Sequence, residues 1–443
     1  MRAGKTNKRV RNTQAGNVLF LMAASLVVLL GISALAIDLV SLYLARSEAQ
    51  RAADAAALAG AKKFVDSGYT SGLVGQSTAE TMATQEAITI GSRNLVGGQA
   101  ANIQSSDVTF DFSLPANPRI TVAVQRTTAR GNPMPTFFGK ALGFAQADVS
   151  AVATAEAYNP SGGNLPVGIS CLKPWIMPNC DPDPSHSGPS GPYCSGAMFV
   201  DSNGSVVNPG PYPTGTIGML MTLKPGDPSQ AAAPSQFYPI QLPPGGDPVL
   251  CPDCAQNTGS LGPGAALYAQ NIACCNTNRL YCGQQVDVDL QTGNVVGPTR
   301  MGVECLIHQL PNGQGQDILD TSTVPFQIMG GSNNPNPALR GQWISSSDSI
   351  VTVPLYDGHT LCPGGSCGAS VTIVGFLQLF LTQADKGAQG TTSARVLNVS
   401  GCGPGSPGGG PGSGGSGSGG GSSGGGASIG SGGALFPIRL VRQ

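Results

Sequence analysis

The first clear pattern in the chain is the absence of alternation. Residues 18–37 form an apolar run broken only by Ser25 and Ser33, with no charge anywhere in it. A helix of that length spans roughly 30 Å, the thickness of a bilayer's hydrocarbon core. From Asp38 the pattern changes. Leu42, Ala45, Ala49, Ala52, Ala56 and Ala59 recur at spacings of three and four, which predicts a helix over 38–65 with one narrow small-residue stripe. Arg46, Ser47, Gln50, Arg51 and Asp54 fall on the other side, and Glu48–Arg51 and Arg51–Asp54 are spaced as i,i+3 ion pairs. Alanine is the best helix former. The two segments therefore read as one rod that leaves the membrane and continues into solvent. Its stripe suits close packing, either on the chain's own body or on another subunit.

Further along, residues 78–94 have helical character, with Gly91 near the end. Residues 108–114 alternate strictly, with Val108, Phe110, Phe112 and Leu114 on one face, and 120–125 alternate again. The Pro115-Ala-Asn-Pro118 stretch between them is turn chemistry, so the pair predicts a hairpin. Residues 136–144 read as a short helix and 149–158 as a third strand. Together these make a small α+β domain over 67–158.

The region 159–400 is rich in Cys, Pro and Gly and is expected to be mainly β. Strands are predicted near 286–290, 349–356 and 371–381, with a turn at 292–299 before an apolar stretch at 301–310. The 371–381 segment is almost wholly apolar and suits a central buried strand. Residues 401–433 are nearly all Gly and Ser and predict a flexible segment. The strand-like residues 434–443 after it suggest an insertion between two strands of one sheet, with the last strand on an edge because of Pro437. A peptide donated to a partner's sheet is the alternative. The fold class is thus α+β: a long N-terminal helix, a small α+β domain and a mainly β, disulfide-bearing C-terminal region.

Charge adds a direction. Residues 1–16 hold Arg2, Lys5, Lys8, Arg9 and Arg11 and no acid, as a basic tail before the 17–37 anchor, while the chain as a whole has a net charge of −1. By the positive-inside rule the tail stays in the cytoplasm and the body is exported. A cleaved signal peptide usually has a shorter apolar region. The near-neutral body carries no footprint for nucleic acid. All 12 cysteines lie in the half expected outside: Cys171, Cys180, Cys194, Cys251, Cys254, Cys274, Cys275, Cys282, Cys305, Cys362, Cys367 and Cys402. Their even number and the exported setting point to disulfides. Adjacent Cys274 and Cys275 are expected in two different bridges, Cys362 with Cys367 could close a small loop, and Cys402 could pin one end of the Gly tract.

The stretch from Gly16 to Ala61 resembles the N-terminal segment of TadG-like (TadE/TadG-like) proteins of Flp, or tight-adherence, pilus assembly. The residues that carry the resemblance are the basic tail, Gly16-Asn17, the apolar span, Asp38, then Gln50, Ala52, Ala53, Asp54 and Ala55 to Gly60. The resemblance implies a bacterial envelope protein linked to pilus or secretion machinery. Leu21 stands where processed prepilins carry a Glu, so an uncleaved anchor is expected.

Candidate chemistry is sparse. Cys251-Pro-Asp-Cys254 has the spacing of a zinc or redox pair, yet reads as structural disulfides. His186, His308 and His359 are scattered, and His308 reads as a structural residue on a strand. Asp320-Thr-Ser-Thr323 is similar to the metal-binding start of a von Willebrand A domain but follows an apparent loop. No catalytic residue, metal ligand or cofactor is assigned. The sequence reads as a single-pass inner-membrane protein, N-terminus inside and body periplasmic or extracellular. Its expected role is a non-enzymatic structural or assembly component of the pilus apparatus. Its partners would be the membrane and other assembly proteins, or itself through the alanine-rich helix. A surface adhesin or ligand-binding module is the alternative, favoured if exposed aromatics cluster around Trp175 and Trp343.

Overall fold

The computed structural model describes residues 15–113, 117–157, 168–179, 198–202, 204, 206–225, 236–240, 248–249, 251–256, 261–287, 295–357, 370–385, 390–402 and 438–441. The chain divides into two compact units. The first comprises Met1–Ala56, Ala87–Val108 and Thr121–Ala153; the second comprises Ala57–Glu86, Thr109–Ile120 and Thr154–Gln443.

Helix α1 runs unbroken over Ala15–Asp66. Its first half is long and apolar enough to cross a membrane, with a mean hydropathy of 2.7 and none of that window buried. Alanine makes the second half tight. In the first unit Ala45, Ala49, Ala52, Ala53 and Ala56 are all buried, while Arg46, Ser47, Gln50 and Arg51 face outward. Helix α2, Gln76–Ser92, brings Gly91 against this face. The expected ion pairs within α1 give way to other partners. The Glu48 carboxylate accepts from the Gly97 N–H at 2.7 Å, and Asp54 accepts from Gln50 at 2.8 Å. Arg126, almost fully buried, donates to the carbonyls of Asn132 and Val96.

The predicted short helix over 136–144 is instead a hairpin tip. Strands Met134–Pro135 and Gln146–Ala147 pair, and a 3-10 turn at Gly139–Leu142 lies between them. Gly139 and Gly143 explain the difference. A Cβ at Gly139 would stand 2.9 Å from the Phe144 carbonyl, and Gly143 ends the turn with φ near 90°. An α-helix tolerates such glycines poorly.

In the second unit α1 continues through buried Ala57, Ala61 and Phe64. The Phe64 ring meets Phe110 and Phe112 edge-on, with centroids 6.0 and 5.6 Å away. The alternation of 108–114 does place Phe110 and Phe112 together, although the regular strand is Val108–Asp111. Strand Ile438–Val441 pairs antiparallel with residues 154–157 of the same unit.

The main sheet has seven strands in the order Gln285–Asp287, Ser370–Ala384, Ile350–Tyr356, Trp175–Pro178, Gln236–Pro239, Leu220–Pro225 and Thr392–Gly401. Ser370–Ala384 also pairs with Thr392–Gly401, so six of these strands close a cycle. The apolar 371–381 segment is buried inside it and paired on both sides, as its composition predicts. The core joins Trp175, Phe237, Val353, Leu377, Leu379 and Val396 to Tyr268, Ile272, Val303 and Leu306.

Those last four residues sit on two helices that the sequence reading missed: α3, Pro263–Ala273, and α4, Val296–Leu306. Gly297 and Pro298 look like turn chemistry, yet proline is tolerated in a helix's first turn. The 3-and-4 spacing of Val303, Leu306 and Ile307 was the available signal. His308 therefore follows a helix, not a strand, and has φ 58°. The strand Ile438–Val441 lies on a sheet edge, as Pro437 suggests, but in a different sheet from Thr392–Gly401. Residues 403–437 thus join two sheets rather than two strands of one. The Gly/Ser tract itself lies outside the described residues.

Candidate functional site

Asp38 is the first charge after the apolar run, and the structure buries it to 4% exposure. Three consecutive backbone N–H groups converge on its carboxylate. Phe137 donates at 2.7 Å, Phe138 at 3.0 Å and Gly139 at 2.5 Å. A carboxylate that accepts several backbone donors is satisfied without water. The loop that supplies them exposes Phe137, Phe138, Leu142 and Phe144. Hydrogen bonds hold this loop in shape: Phe144 N–H to the Gly139 carbonyl at 2.9 Å, Thr136 N–H to the Ala145 carbonyl at 3.1 Å, and the Thr136 hydroxyl to the Phe144 carbonyl.

On the rest of α1, Ala45, Ala49, Ala52 and Ala56 are inaccessible, whereas Leu42 and Ala59 are half-buried. Gln50 reaches the Val152 carbonyl at 3.2 Å as well as Asp54. Ala53 and Gly60 are buried. The alanine face is therefore already covered within this one chain.

Among the described residues eight cysteines pair, as Cys171–Cys275, Cys251–Cys274, Cys254–Cys305 and Cys282–Cys402. The neighbours Cys274 and Cys275 do enter different bridges, and Cys402 is tied down next to the Gly tract. Cys251 and Cys254 each bond elsewhere. Cys180, Cys194, Cys362 and Cys367 lie outside the described residues, as do His186 and His359.

Two further places in the second unit gather polar groups. Lys173 is fully buried and donates to the carbonyls of Ile272 at 2.7 Å and Cys274 at 2.9 Å, at the end of α3. An ammonium there complements the carbonyl end of the helix. Burial pulls its pKa down to about 7, against the opposing attraction of Asp348. Beside it, Trp175 donates to the Tyr268 hydroxyl at 3.0 Å, which meets Thr299 at 3.1 Å, and burial pushes the Tyr268 pKa up. The His308 ring meets Asp348 at 2.9 Å, which orients the imidazole. Among the described residues no hydroxyl or thiol bonds to that ring, so the arrangement reads as structural.

A cleft of about 570 Å³ in the same unit is lined by Lys63, Asp66, Met82, Phe326, Trp343 and Gln378. Trp343 is 56% exposed, whereas Trp175 is buried, so the two do not form one aromatic patch. Asp320 ends the short, partly exposed strand Ile318–Asp320 rather than a loop. Its carboxylate accepts hydrogen bonds from Ser322, which hold its pKa low. Among the described residues no cluster of His, Cys, Asp or Glu is arranged to hold a metal.

No curated protein and no solved structure matches the chain. Residues 16–63 match the family model Tad, described as "Putative Flp pilus-assembly TadE/G-like". The match spans the membrane-length run, Asp38 and the alanine-rich turns, and it is to this family that the N-terminal segment of the chain is similar.

Proposed function

We propose that this chain is a membrane-anchored, non-catalytic structural or assembly component of a tight-adherence (Flp-type) pilus or a related secretion apparatus. The observation that carries the reading is α1 itself. One unbroken helix has an exposed apolar surface from Val18 to Leu44 and an alanine face covered by its own chain from Ala45 onward. A bilayer's hydrocarbon core matches the length of such an exposed apolar stretch, which supports the anchor reading. The Tad-family match over 16–63 supports pilus assembly as the setting. The basic residues before the span favour a cytoplasmic N-terminus in the inner membrane. The four disulfides among the described residues favour a body on the oxidising side. Partners would be other assembly proteins meeting the surface of the folded body, because the alanine stripe is already occupied.

The test is genetic and biochemical. Cells lacking the chain are expected to lose Flp-type pili, which return with the full chain but not with one deleted for 18–37. An epitope inserted within 401–433 should be cut by protease added to spheroplasts. Normal piliation without the chain, or an epitope protected until lysis, would overturn the proposal.

A second reading, a ligand-binding module or adhesin, is favoured by Trp343 standing exposed in the cleft beside Phe326. It expects Trp343→Ala to abolish surface adherence while pilus number stays normal. The assembly reading expects both to be unchanged.

A further inference from the structure

The exposed apolar surface does not stop where the charge-free run stops. Asp38 points into the protein and is fully hydrogen-bonded there, but Leu39, Val40, Tyr43 and Leu44 remain more than half exposed on the outward side of α1. Measured along the helix, Asp38 lies about 30 Å from Val18 and Leu44 roughly 40 Å. The first distance matches the hydrocarbon core. The second reaches into the headgroup layer, where tyrosine is favoured. At the level of Asp38 the loop 136–144 adds Phe137 at 70% exposure, Leu142 at 68% and Phe144 at 72%. Exposed Lys140 stands among them. All of these residues belong to the first unit.

Three large apolar side chains about two-thirds exposed or more on one short loop are unfavourable in water. The hydrogen bonds around Gly139 and Thr136 hold the loop in this form, so the side chains cannot fold back on it. Burying Asp38 removes the one charge that would otherwise keep this level of the helix out of lipid. We propose that loop 136–144 is a membrane-interface collar, seated in the lipid headgroup and upper acyl region where α1 emerges. Phe137, Leu142 and Phe144 enter the acyl boundary. Lys140 extends to lipid phosphate, as long basic side chains do at such depths. The Asp38 carboxylate ties the collar to the anchor and so sets how deep the helix sits. The partner is the bilayer, continuous with the surface that the span already presents to it. The proposal rests on the reading of α1 as a membrane anchor.

The test uses the full chain in phosphatidylcholine–phosphatidylglycerol vesicles. An environment-sensitive fluorescent amino acid is placed at position 144, 29 or 95 in separate preparations. The lipids carry bromine either high or deep in the acyl chain. Position 144 is expected to be quenched more by the shallow bromines and position 29 by the deep ones. Position 95 should stay unquenched. It lies on the hairpin held to Glu48, about 15 Å further along the helix. Asp38→Ala should at least halve quenching at 144 while leaving 29 unchanged. Quenching at 29 with none at 144 overturns the collar and leaves the anchor standing. Equal quenching at 144 and 95 overturns it too, as mere adsorption. Loss of quenching at 29 overturns the anchor and the collar together.

Discussion

Gly91 of α2 approaches Ala56 of α1 so closely that a Cβ placed on Gly91 would stand 3.1 Å from the Ala56 methyl and 2.1 Å from the Ile103 side chain. Two helices can meet this tightly only when both contribute small residues. A leucine at either position must displace buried neighbours, and overpacking of this kind costs about 1–3 kcal/mol. Gly91→Leu and Ala56→Leu are expected to speed hydrogen exchange of the α2 amides in detergent-solubilised protein. Gly91→Ala should do so much less, because better helix propensity offsets part of the crowding and the Ile103 side chain can give way. Unchanged exchange in both leucine variants would show that the contact is not close-packed.

Lys173 makes stability depend on pH in a definite direction. Its folded pKa is lowered to about 7 from an ordinary 10.5. Between those values the unfolded chain holds a proton that the folded chain lacks, so stability rises with pH across that window and is lowest below it. From pH 7 to 9 the rise is on the order of 2 kcal/mol. Urea midpoints of the oxidised chain should climb over this range and flatten in Lys173→Met. A wild-type midpoint that falls or stays level would contradict the buried-ammonium account.

The bridge Cys282–Cys402 closes a separation of 120 residues and sits at the edge of an apolar cluster with Ile169, Tyr238 and Phe376. Chain entropy makes a cross-link over so long a loop worth up to about 5 kcal/mol, against about 3 for a loop of some 20 residues. The double variant Cys282→Ser, Cys402→Ser should lower the unfolding midpoint accordingly. Cys251→Ser with Cys274→Ser, which removes a separation of 23, should lower it less. Non-reducing peptide mapping checks the pairings directly: the peptide that carries both Cys274 and Cys275 should be linked to the Cys171 and Cys251 peptides together, and its linkage to neither of them would refute the pairings.

Local pattern was enough wherever neighbours in sequence are also neighbours in space. Membrane length needs only consecutive apolar residues. The α1 stripe needs only a 3.6-residue period, and the strands over 120–125, 349–356 and 371–381 need only alternation or a continuous apolar run. Helices α3 and α4 escaped because Pro263, Gly297 and Pro298 mark a helix start as readily as a turn, and only burial against the core separates the two. Longer range was illegible. Nothing near Asp38 announces that the N–H groups of residues about 100 positions later will enclose it, or that its charge will therefore leave the apolar surface around it uninterrupted. Nor does spacing tell Cys274 from Cys275 as partner for Cys251. The sequence by itself determined a helix of membrane length, an alanine face and a cysteine-bearing β region, because each depends on short-range periodicity or composition. Which side of α1 is covered, which thiols meet, and where the exposed phenylalanines stand were decided by tertiary contacts, since those depend on chain segments that only folding brings together.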